Sequence, residues 1–363
     1  MMTTLYNFSA GPAILPREVM EASAQAVLNL NGSGLSILEV SHRGKEYEPL
    51  HEQAVQDMLT LMGLSSDEYS VFFLGGGASL QFAMVPMNFL RAGQRADYLN
   101  TGEWASRAIV EARRFGQVEV VGSSEAQNFN YIPREVTFHD DARYIHITSN
   151  NTIFGTAWHT FPAFPAKVPV VCDMSSDFLS RPLDFKQFDL IYAGAQKNAG
   201  PAGATIIVAR RAFIASAYKD VPTVLSYGTH MKNGGLYNTP PVFPIYVIGQ
   251  VMKWLLRQGG LEAMERHNRL KAELIYNGLE ELSSTFVPTV PRPEDRSWMN
   301  VTFRLVNPAL ESPFLKEAEA AGFVGLKGHR SVGGCRASIY NAFPVEGVEA
   351  LVAFMRAFAR REG

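Results

Sequence analysis

Seven short runs of apolar, β-branched and aromatic residues limit what this chain can fold into more than any other feature. They are SVFFL at 70–74, ADYL at 96–99, VEVV at 118–121, RYIHIT at 143–148, VPVVC at 168–172, DLIYAG at 189–194 and ATIIVA at 204–209. Segments with helical spacing accompany them: Leu50, Val55, Met58, Leu59 and Met62 share one apolar face. This alternation predicts an α/β fold, a largely parallel sheet covered by helices, with ligands bound outside the carboxyl ends of the strands.

The pattern changes after about residue 260. A long amphipathic segment, LEAMERHNRLKAELIYNGLEEL, leads to the break VPTVPRPEDRS, and MNVTFRLV, a helical stretch, ASIYNAF and a final helix follow. A chain of 363 residues also exceeds the size at which one core usually stops growing. We predict a large domain at 16–258 and a smaller α+β domain at 259–363, with the segment 1–15 packing near the small domain.

Charge and cysteine content exclude several classes of function. The 33 Lys and Arg residues nearly balance the 35 Asp and Glu residues, so a nucleic-acid groove or a membrane-surface patch is not indicated. The two cysteines, Cys172 and Cys335, lie far apart with no CxxC pair, which argues against a zinc site or a disulfide framework. With no signal-peptide pattern and no long apolar stretch, the sequence predicts a cytoplasmic protein without a bound metal or membrane anchor.

Lys197 has an unusual setting for a lysine. It lies in IYAGAQKNAGPAGATIIV, just after an apolar run and among alanines and glycines that leave room for a flat group close to the backbone. A desolvated lysine with a lowered pKa forms imines with carbonyl compounds. A lysine that caps a loop between two strands fits this stretch equally well, so the rest of the chain must decide.

Other polar or aromatic residues also follow predicted strands. In FFLGGGASLQF, the three glycines at 75–77 join a strand to a helix that Ala78, Ser79 and Leu80 open. The exposed N–H groups of a helix start, aided by the Ser79 hydroxyl, suit a phosphate, although a plain tight turn explains the glycines as well. Asp173 could cap the next helix or hold a proton on a cofactor ring nitrogen. Trp104 and Thr152 also follow strand ends, where the tryptophan is either a packing residue or a stacking surface.

Two histidine–arginine pairs supply candidate anion-binding cations. SHRGKEYE contains His42 and Arg43, and GHRSVGGCRASIYNA contains His329, Arg330 and Arg336. Arginine binds carboxylates and phosphates through its planar fork, and histidine adds a donor whose charge can change. Surface ion pairs are the ordinary alternative for such residues.

Taken together, these motifs resemble the phosphoserine aminotransferases, a family of class V pyridoxal-phosphate-dependent aminotransferases. The resemblance rests on NFSAGPAILP, EVSHRGKEY, GGGASLQF, AGAQKN with GPAG, NTPPVFPIY and KGHRSVGGCRASIYNA, in this order across nearly the whole chain. It implies a fold-type I architecture with a seven-stranded, mostly parallel sheet. It also implies a homodimer with active sites near the subunit interface.

The resemblance further implies roles for individual residues. Lys197 would bind pyridoxal 5'-phosphate covalently, Asp173 would pair with the ring nitrogen, Trp104 would stack on the ring, and Thr152 would bond near the ring hydroxyl. The cofactor phosphate would be held by Gly77, Ala78, Ser79 and Gln196, joined by Asn238 and Thr239 of the partner subunit. Arg336 would bind the substrate α-carboxylate, and a distal anionic pocket would contain His42, Arg43, His329 and Arg330.

The implied reaction is amino transfer from L-glutamate to 3-phosphooxypyruvate, which gives O-phospho-L-serine and 2-oxoglutarate in serine biosynthesis. The family can also act on a phosphorylated hydroxythreonine precursor in pyridoxine biosynthesis. Some members carry an arginine after the third glycine, where this chain has Ala78, so substrate affinity is in question. A cysteine desulfurase or another class V lyase is the nearest rival, with a non-enzymatic phosphate-binding protein of this fold as a more distant one.

Overall fold

The structure, a computed structural model, describes residues 5–362. The helices are α1 Arg17–Leu28, α2 Glu48–Met62, α3 Gly77–Phe89, α4 Glu103–Ala112, α5 Arg211–Ala215, α6 Tyr227–Lys232, α7 Val242–Arg257, α8 Gly260–Glu281, α9 Glu311–Ala320 and α10 Val345–Glu362. The strands are β1 Tyr6–Asn7, β2 Tyr69–Leu74, β3 Arg95–Asn100, β4 Gln117–Ser123, β5 Ile145–Thr148, β6 Asn150–Asn151, β7 Thr156–Ala157, β8 Val170–Asp173, β9 Leu190–Gly194, β10 Thr205–Arg210, β11 Phe286–Pro288, β12 Asn300–Leu305, β13 Phe323–Val324 and β14 Cys335–Ser338.

A seven-stranded sheet forms the centre of the molecule, in the order β2-β10-β9-β8-β5-β3-β4. Strand β10 runs antiparallel to both of its neighbours. The pairs from β9 to β4 are all parallel. The seven apolar runs of the sequence are these seven strands, and the predicted α/β class with a mostly parallel sheet is confirmed.

Helices cover both faces of this sheet, which explains why its inner strands are largely apolar, whereas the edge strand β4 is mostly exposed. On one face, α1, α2 and α7 contribute Val19, Met58 and Ile248 to a core that also contains Ile191 of β9. On the other face, α3 and α4 pack Phe82 and Ile109 against the sheet. The carboxyl ends of β5, β8 and β9 therefore share one edge, where polar residues that follow these strands come close together.

A second core lies in the C-terminal third. The antiparallel sheet β11-β12-β14 packs against α8, α9 and α10 around aromatic residues such as Phe286, Phe303 and Phe314. Strand β1 pairs in parallel with β13, and Phe8 is buried in this same core. Residues 1–4 of the segment predicted to pack here, and residue 363, lie outside the described residues.

Helix α8 joins the two cores. Its first turns bury Leu261 and Met264 in the core of the large sheet, and its later turns bury Ala272 and Ile275 in the C-terminal core. We keep a boundary between residues 258 and 259 as a proposal, because α8 begins at Gly260 and serves both sides.

No helix between residues 5 and 362 combines the length and apolar character that a membrane crossing requires. Over the same part of the chain, no group of three or more His, Cys, Asp or Glu side chains is placed to hold a metal ion.

Candidate active site

Lys197 lies in the loop between β9 and β10, three residues after β9 ends at Gly194. Its Nζ atom donates a hydrogen bond of 2.7 Å to Thr152 Oγ1. The side chain as a whole is half-buried, but protein atoms closely surround its ammonium group. This loss of hydration lowers the pKa of Lys197 to about 8, although the negative charge of Asp173 opposes the change. The lysine is therefore a partly neutral amine near physiological pH and not a hydrated surface cation.

Asp173 ends β8 and is buried. Its Oδ1 atom accepts hydrogen bonds from the backbone N–H of Ser175 at 2.9 Å and from the Ser175 hydroxyl at 2.6 Å. Burial raises the pKa of this carboxyl, while the bonds from Ser175 and the charge of Lys197 lower it. Both of its hydrogen bonds within the described chain use Oδ1, so Oδ2 remains available for a cationic or protonated partner.

Trp104 lies in the first turn of α4, and its ring centre is 5.4 Å from Lys197 Nζ. Its indole Nε1 is buried and has no hydrogen-bond partner within residues 5–362. A buried tryptophan N–H usually finds a partner. The side chain therefore offers both a flat surface and an unused donor beside the lysine.

The glycine run leads into α3, which begins at Gly77. Gly76 has φ +86 and no polar side chain caps this end of the helix, so the first-turn N–H groups of Gly77, Ala78 and Ser79 lack intrahelical partners. A Cβ atom at Gly77 would meet nothing within 4 Å. Ser79 also lines a cavity of about 520 Å³ with Glu103 of α4, which places the two helix starts side by side.

Arg336 is brought to Lys197 from β14. Its Nη1 atom donates a bond of 3.1 Å to the backbone oxygen of Thr152, whose side chain binds Lys197. Its Nε atom is buried without a partner in the described chain. Burial also lowers the pKa of Arg336, and its positive charge is one of the groups that lower the pKa of Lys197. A guanidinium with an unused N–H thus lies beside the amine.

The remaining cations form two groups. Burial lowers the pKa of His329, and the charge of Arg336 lowers it further. Arg330 is exposed. His42 has a buried Nε2 without a partner in the described chain, and the exposed Arg43 donates a bond of 3.4 Å to the backbone oxygen of Tyr237. This second pair makes no hydrogen bond to Lys197 or its neighbours within residues 5–362.

Three of the predicted phosphate ligands differ in their surroundings. Gln196 is half-buried, and its backbone oxygen accepts a bond of 2.9 Å from the N–H of Ala13. Asn238 and Thr239 lie on an exposed loop, where Asn238 lines a cavity of about 120 Å³ together with Gly75. The roles of these residues stay predictions.

Sequence reasoning missed several residues that build this site. Ser175 bonds Asp173 and also accepts a bond of 3.1 Å from the N–H of Gly194, which connects the ends of β8 and β9. Asp177 is a second buried carboxyl, bonded by Ser149, and burial raises its pKa to about 6. Gly11 packs so closely that a Cβ atom there would lie 3.3 Å from Lys197 Cγ. The polar cluster DMSSD and the glycine in SAGP were available signals for these positions.

Comparisons with known proteins identify the relatives of the whole chain. The sequence profile of the family described as Aminotransferase class-V matches residues 5–351. The phosphoserine aminotransferase of Niallia circulans is 50% identical over all of both chains, and that of Bacillus subtilis strain 168 is 48% identical over 97% of both. The solved phosphoserine aminotransferase from Bacillus circulans subsp. alkalophilus has a TM-score of 0.96 at 50% identity, with 99% of each chain covered.

The fold and these matches define the class of the protein: it is an aminotransferase that uses pyridoxal phosphate. The chain belongs to the class-V aminotransferase family. Because it is 50% identical to phosphoserine aminotransferases over its full length, it belongs to that group within the family.

The residues of this chain suit that cofactor. Lys197 offers an amine with a lowered pKa for an aldehyde, and Asp173 Oδ2 is an unused acceptor for a ring N–H. Trp104 offers a flat surface with an unpaired donor, and the uncapped start of α3 offers several N–H groups for a phosphate. Each chemical part of pyridoxal phosphate therefore has a matching group here.

Proposed function

We propose that this enzyme transfers the amino group of L-glutamate to 3-phosphooxypyruvate, which gives O-phospho-L-serine and 2-oxoglutarate. The observation that carries this proposal is Arg336, whose guanidinium bonds the backbone of Thr152 beside Lys197 and keeps a buried Nε that has no partner among residues 5–362. Both amino acids present an α-carboxylate, which a buried arginine binds strongly. The full-length relatives are named phosphoserine aminotransferase, which supports phosphoserine as one of the two amino acids.

Pyridoxal phosphate, when bound, supplies an aldehyde that condenses with amines and a ring that accepts the electrons released at Cα. Lys197 Nζ is the group that we expect to take the proton from the substrate Cα and to deliver it to the carbon that the cofactor aldehyde supplies. Because its pKa is lowered to about 8, more of this amine is neutral at a given pH than is the case for an ordinary lysine, and the neutral form can accept that proton. Thr152 orients this amine through the hydrogen bond to Nζ.

The other groups bind and orient. Asp173 Oδ2 would hold a proton on the ring nitrogen, and Ser175 fixes the carboxylate through Oδ1. Trp104 would cover one face of the ring and exclude water from it. The first turn of α3 would bind the phosphate through its backbone N–H groups, where the helix dipole also favours an anion.

The distal anion needs further cations. We propose that His329 and Arg330 receive it, together with His42 and Arg43, as the γ-carboxylate of glutamate and the phosphate of phosphoserine occupy the pocket in turn. In the single chain, Arg43 contacts Tyr237 and does not reach Lys197. A homodimer in which one subunit completes the other's site, through these cations and through Asn238 and Thr239, is therefore part of the proposal.

The burial of both cysteines argues against a cysteine-dependent lyase. Such an enzyme needs a reactive thiol that reaches the substrate, but Cys172 and Cys335 are both buried, with their pKa values raised by burial. Two unpaired thiols also suit the cytoplasmic location that we propose from the sequence. The phosphorylated hydroxythreonine substrate of pyridoxine biosynthesis carries the same two anionic groups and is a further acceptor to assay.

The test compares substrates and variants of the cofactor-loaded enzyme. L-Glutamate should change the absorbance of the bound cofactor, and 3-phosphooxypyruvate should reverse the change far better than 3-hydroxypyruvate, which lacks the phosphate. Arg336→Gln should lower kcat/KM for both substrates by about tenfold to hundredfold. Arg356→Gln, on an exposed pair with Glu281, is the matched control. Equal use of phosphorylated and unphosphorylated acceptors would refute the proposed substrate class.

A further inference from the structure

A strained segment follows Asp173 and has no place in the mechanism described so far. Leu179 is fully buried and has φ +55, a left-handed conformation that residues with side chains rarely adopt. It lies in the loop after β8, six residues beyond Asp173. A conformation of this kind persists only where surrounding contacts hold it.

Three buried asparagines hold this segment. Their side-chain Nδ2 groups donate to three consecutive backbone oxygens: Asn198 to Phe178 at 2.7 Å, Asn341 to Leu179 at 2.9 Å and Asn268 to Ser180 at 2.9 Å. The three come from separate parts of the chain. Asn198 directly follows Lys197, Asn268 lies on α8, and Asn341 follows β14. We call Asn198, Asn268 and Asn341 the asparagine clamp.

The asparagine clamp is also bonded to itself. Asn268 Nδ2 donates a second bond of 2.8 Å to Asn341 Oδ1, and the backbone N–H of Asn341 donates a bond of 2.9 Å to Asn198 Oδ1. Asn268 thus uses both of its N–H donors, and its Oδ1 has no partner in the described chain. A buried amide has this donor capacity without carrying a charge. Three aspartates could not donate these bonds and would add negative charge close to Lys197.

We propose that the asparagine clamp is a positioning device that fixes Lys197 relative to Asp173. One of its members is the neighbour of Lys197, and the segment that it holds continues directly from the Asp173 loop. The loop between Asp173 and the held segment is itself anchored by three hydrogen bonds. They join Ser175 to Gly194, Ser176 to Asn150 and Asp177 to Ser149. Without the clamp, Leu179 would relax to a negative φ and move the attached loop away from the Lys197 loop.

The clamp also joins the site to the C-terminal core. Asn268 lies on the helix that serves both cores, and Asn341 follows a strand of the small sheet that also carries Arg336. The asparagine clamp thereby fixes the distances among the Lys197 amine, the Asp173 carboxylate and the Arg336 guanidinium. This inference rests on the roles proposed above for Lys197 and Asp173, but not on the identity of the substrate.

The test uses Asn341→Ala and Asn268→Ala and needs a readout besides activity. In the cofactor-free protein, the pH dependence of Lys197 labelling by trinitrobenzenesulfonate, followed by peptide mass spectrometry, reports the pKa of this amine. Burial is the largest cause that lowers that pKa, Asp173 and Asp177 raise it, and Arg336 lowers it. If the clamp fixes the amine relative to these groups, the pKa of Lys197 should differ from that of the unmodified chain in both variants. Their kcat should fall by about tenfold to hundredfold, with a smaller change in KM.

The matched control is Asn88→Ala. Asn88 is equally buried and donates to the backbone oxygens of Leu225 and Met84, at the far end of α3 from its uncapped start. This variant should lose thermal stability without a change in the Lys197 titration.

Two outcomes would overturn the inference. The first is a pKa of Lys197 that is unchanged in both clamp variants, or that changes by the same amount in the Asn88→Ala control. The other is a failure of both clamp variants to fold while Asn88→Ala folds, which would assign the clamp to folding and not to positioning. A wrong substrate assignment would appear in the assay with 3-hydroxypyruvate and would leave the labelling result intact.

Discussion

Replacing Lys197 with methionine should stabilise the cofactor-free protein at neutral pH. Burial lowers the pKa of this amine from 10.5 to about 8, so the folded chain disfavours the ammonium form relative to the unfolded chain. At about 1.36 kcal/mol per pKa unit, this difference corresponds to a cost of about 3 kcal/mol. Solvent that reaches the half-buried side chain, and the lost bond to Thr152, reduce the expected net gain to about 2 kcal/mol.

The sign of the pH dependence follows from the two pKa values of Lys197. Below pH 8 the amine is charged in both states, so the folded state bears the whole cost of the buried charge. Between pH 8 and pH 10.5 the folded chain releases its proton first, and the cost falls as the pH rises. The stability advantage of Lys197→Met should therefore be largest at pH 7 and small at pH 10.

Scanning calorimetry of the cofactor-free proteins measures this effect. An unfolding entropy of about 2.1 cal/mol/K per residue converts about 2 kcal/mol into a rise in Tm of about 3 °C. The control is Lys167→Met, because Lys167 is exposed, and its Tm should differ little from that of the unmodified chain at either pH. A Lys197→Met protein that melts at or below the unmodified Tm at pH 7, or a difference that persists at pH 10, would refute the reasoning.

Three further predictions concern other residues. Asp173→Asn keeps an acceptor for Ser175, so the fold should survive. Its kcat should fall by orders of magnitude, because a neutral amide cannot hold the proton on the ring nitrogen of the cofactor. A near-normal kcat would show that Asp173 does not have this role. Trp104→Ala should weaken pyridoxal phosphate binding by about tenfold in a fluorescence titration, with Trp104→Phe in between, and an unchanged Kd would exclude stacking. Asp295 is fully buried and bonds the N–H of Ile132 and the Arg134 guanidinium; Asp295→Ala should cost about 2 kcal/mol in urea unfolding, and an unchanged midpoint would contradict this.

The strands of the large sheet could be predicted because burial on both faces demands continuous apolar runs. The reversed direction of β10 could not be read from its residues, since ATIIVA has the same character as the parallel runs. The length of the loop between β9 and β10 indicates the direction of β10 more clearly. Only residues 195–204 separate β9 from β10, without a helix, whereas a parallel pair needs a longer crossover.

The residues of the site that lie at or just after strand ends could be predicted from the sequence. Lys197, Asp173 and Thr152 follow neighbouring strands, so the topology alone brings them together. The bond between Arg336 and Thr152 joins residues 184 positions apart, and no local pattern encodes such a contact. The left-handed Leu179 was equally hidden, because leucine gives no local sign of a positive φ.

The pairing of β1 with β13 has a consequence for synthesis of the chain. Ala13 bonds the backbone of Gln196, and Gly11 packs on Lys197, so a segment that is made before the large sheet contacts the loop of Lys197. Strand β1 lies just before this segment, and its partner strand in the described chain is complete only when Phe323 and Val324 have been translated. A ribosome that has made the whole large sheet therefore still holds a chain with an unpaired β1, and the segment beside Lys197 is anchored at that end only after β13 has emerged.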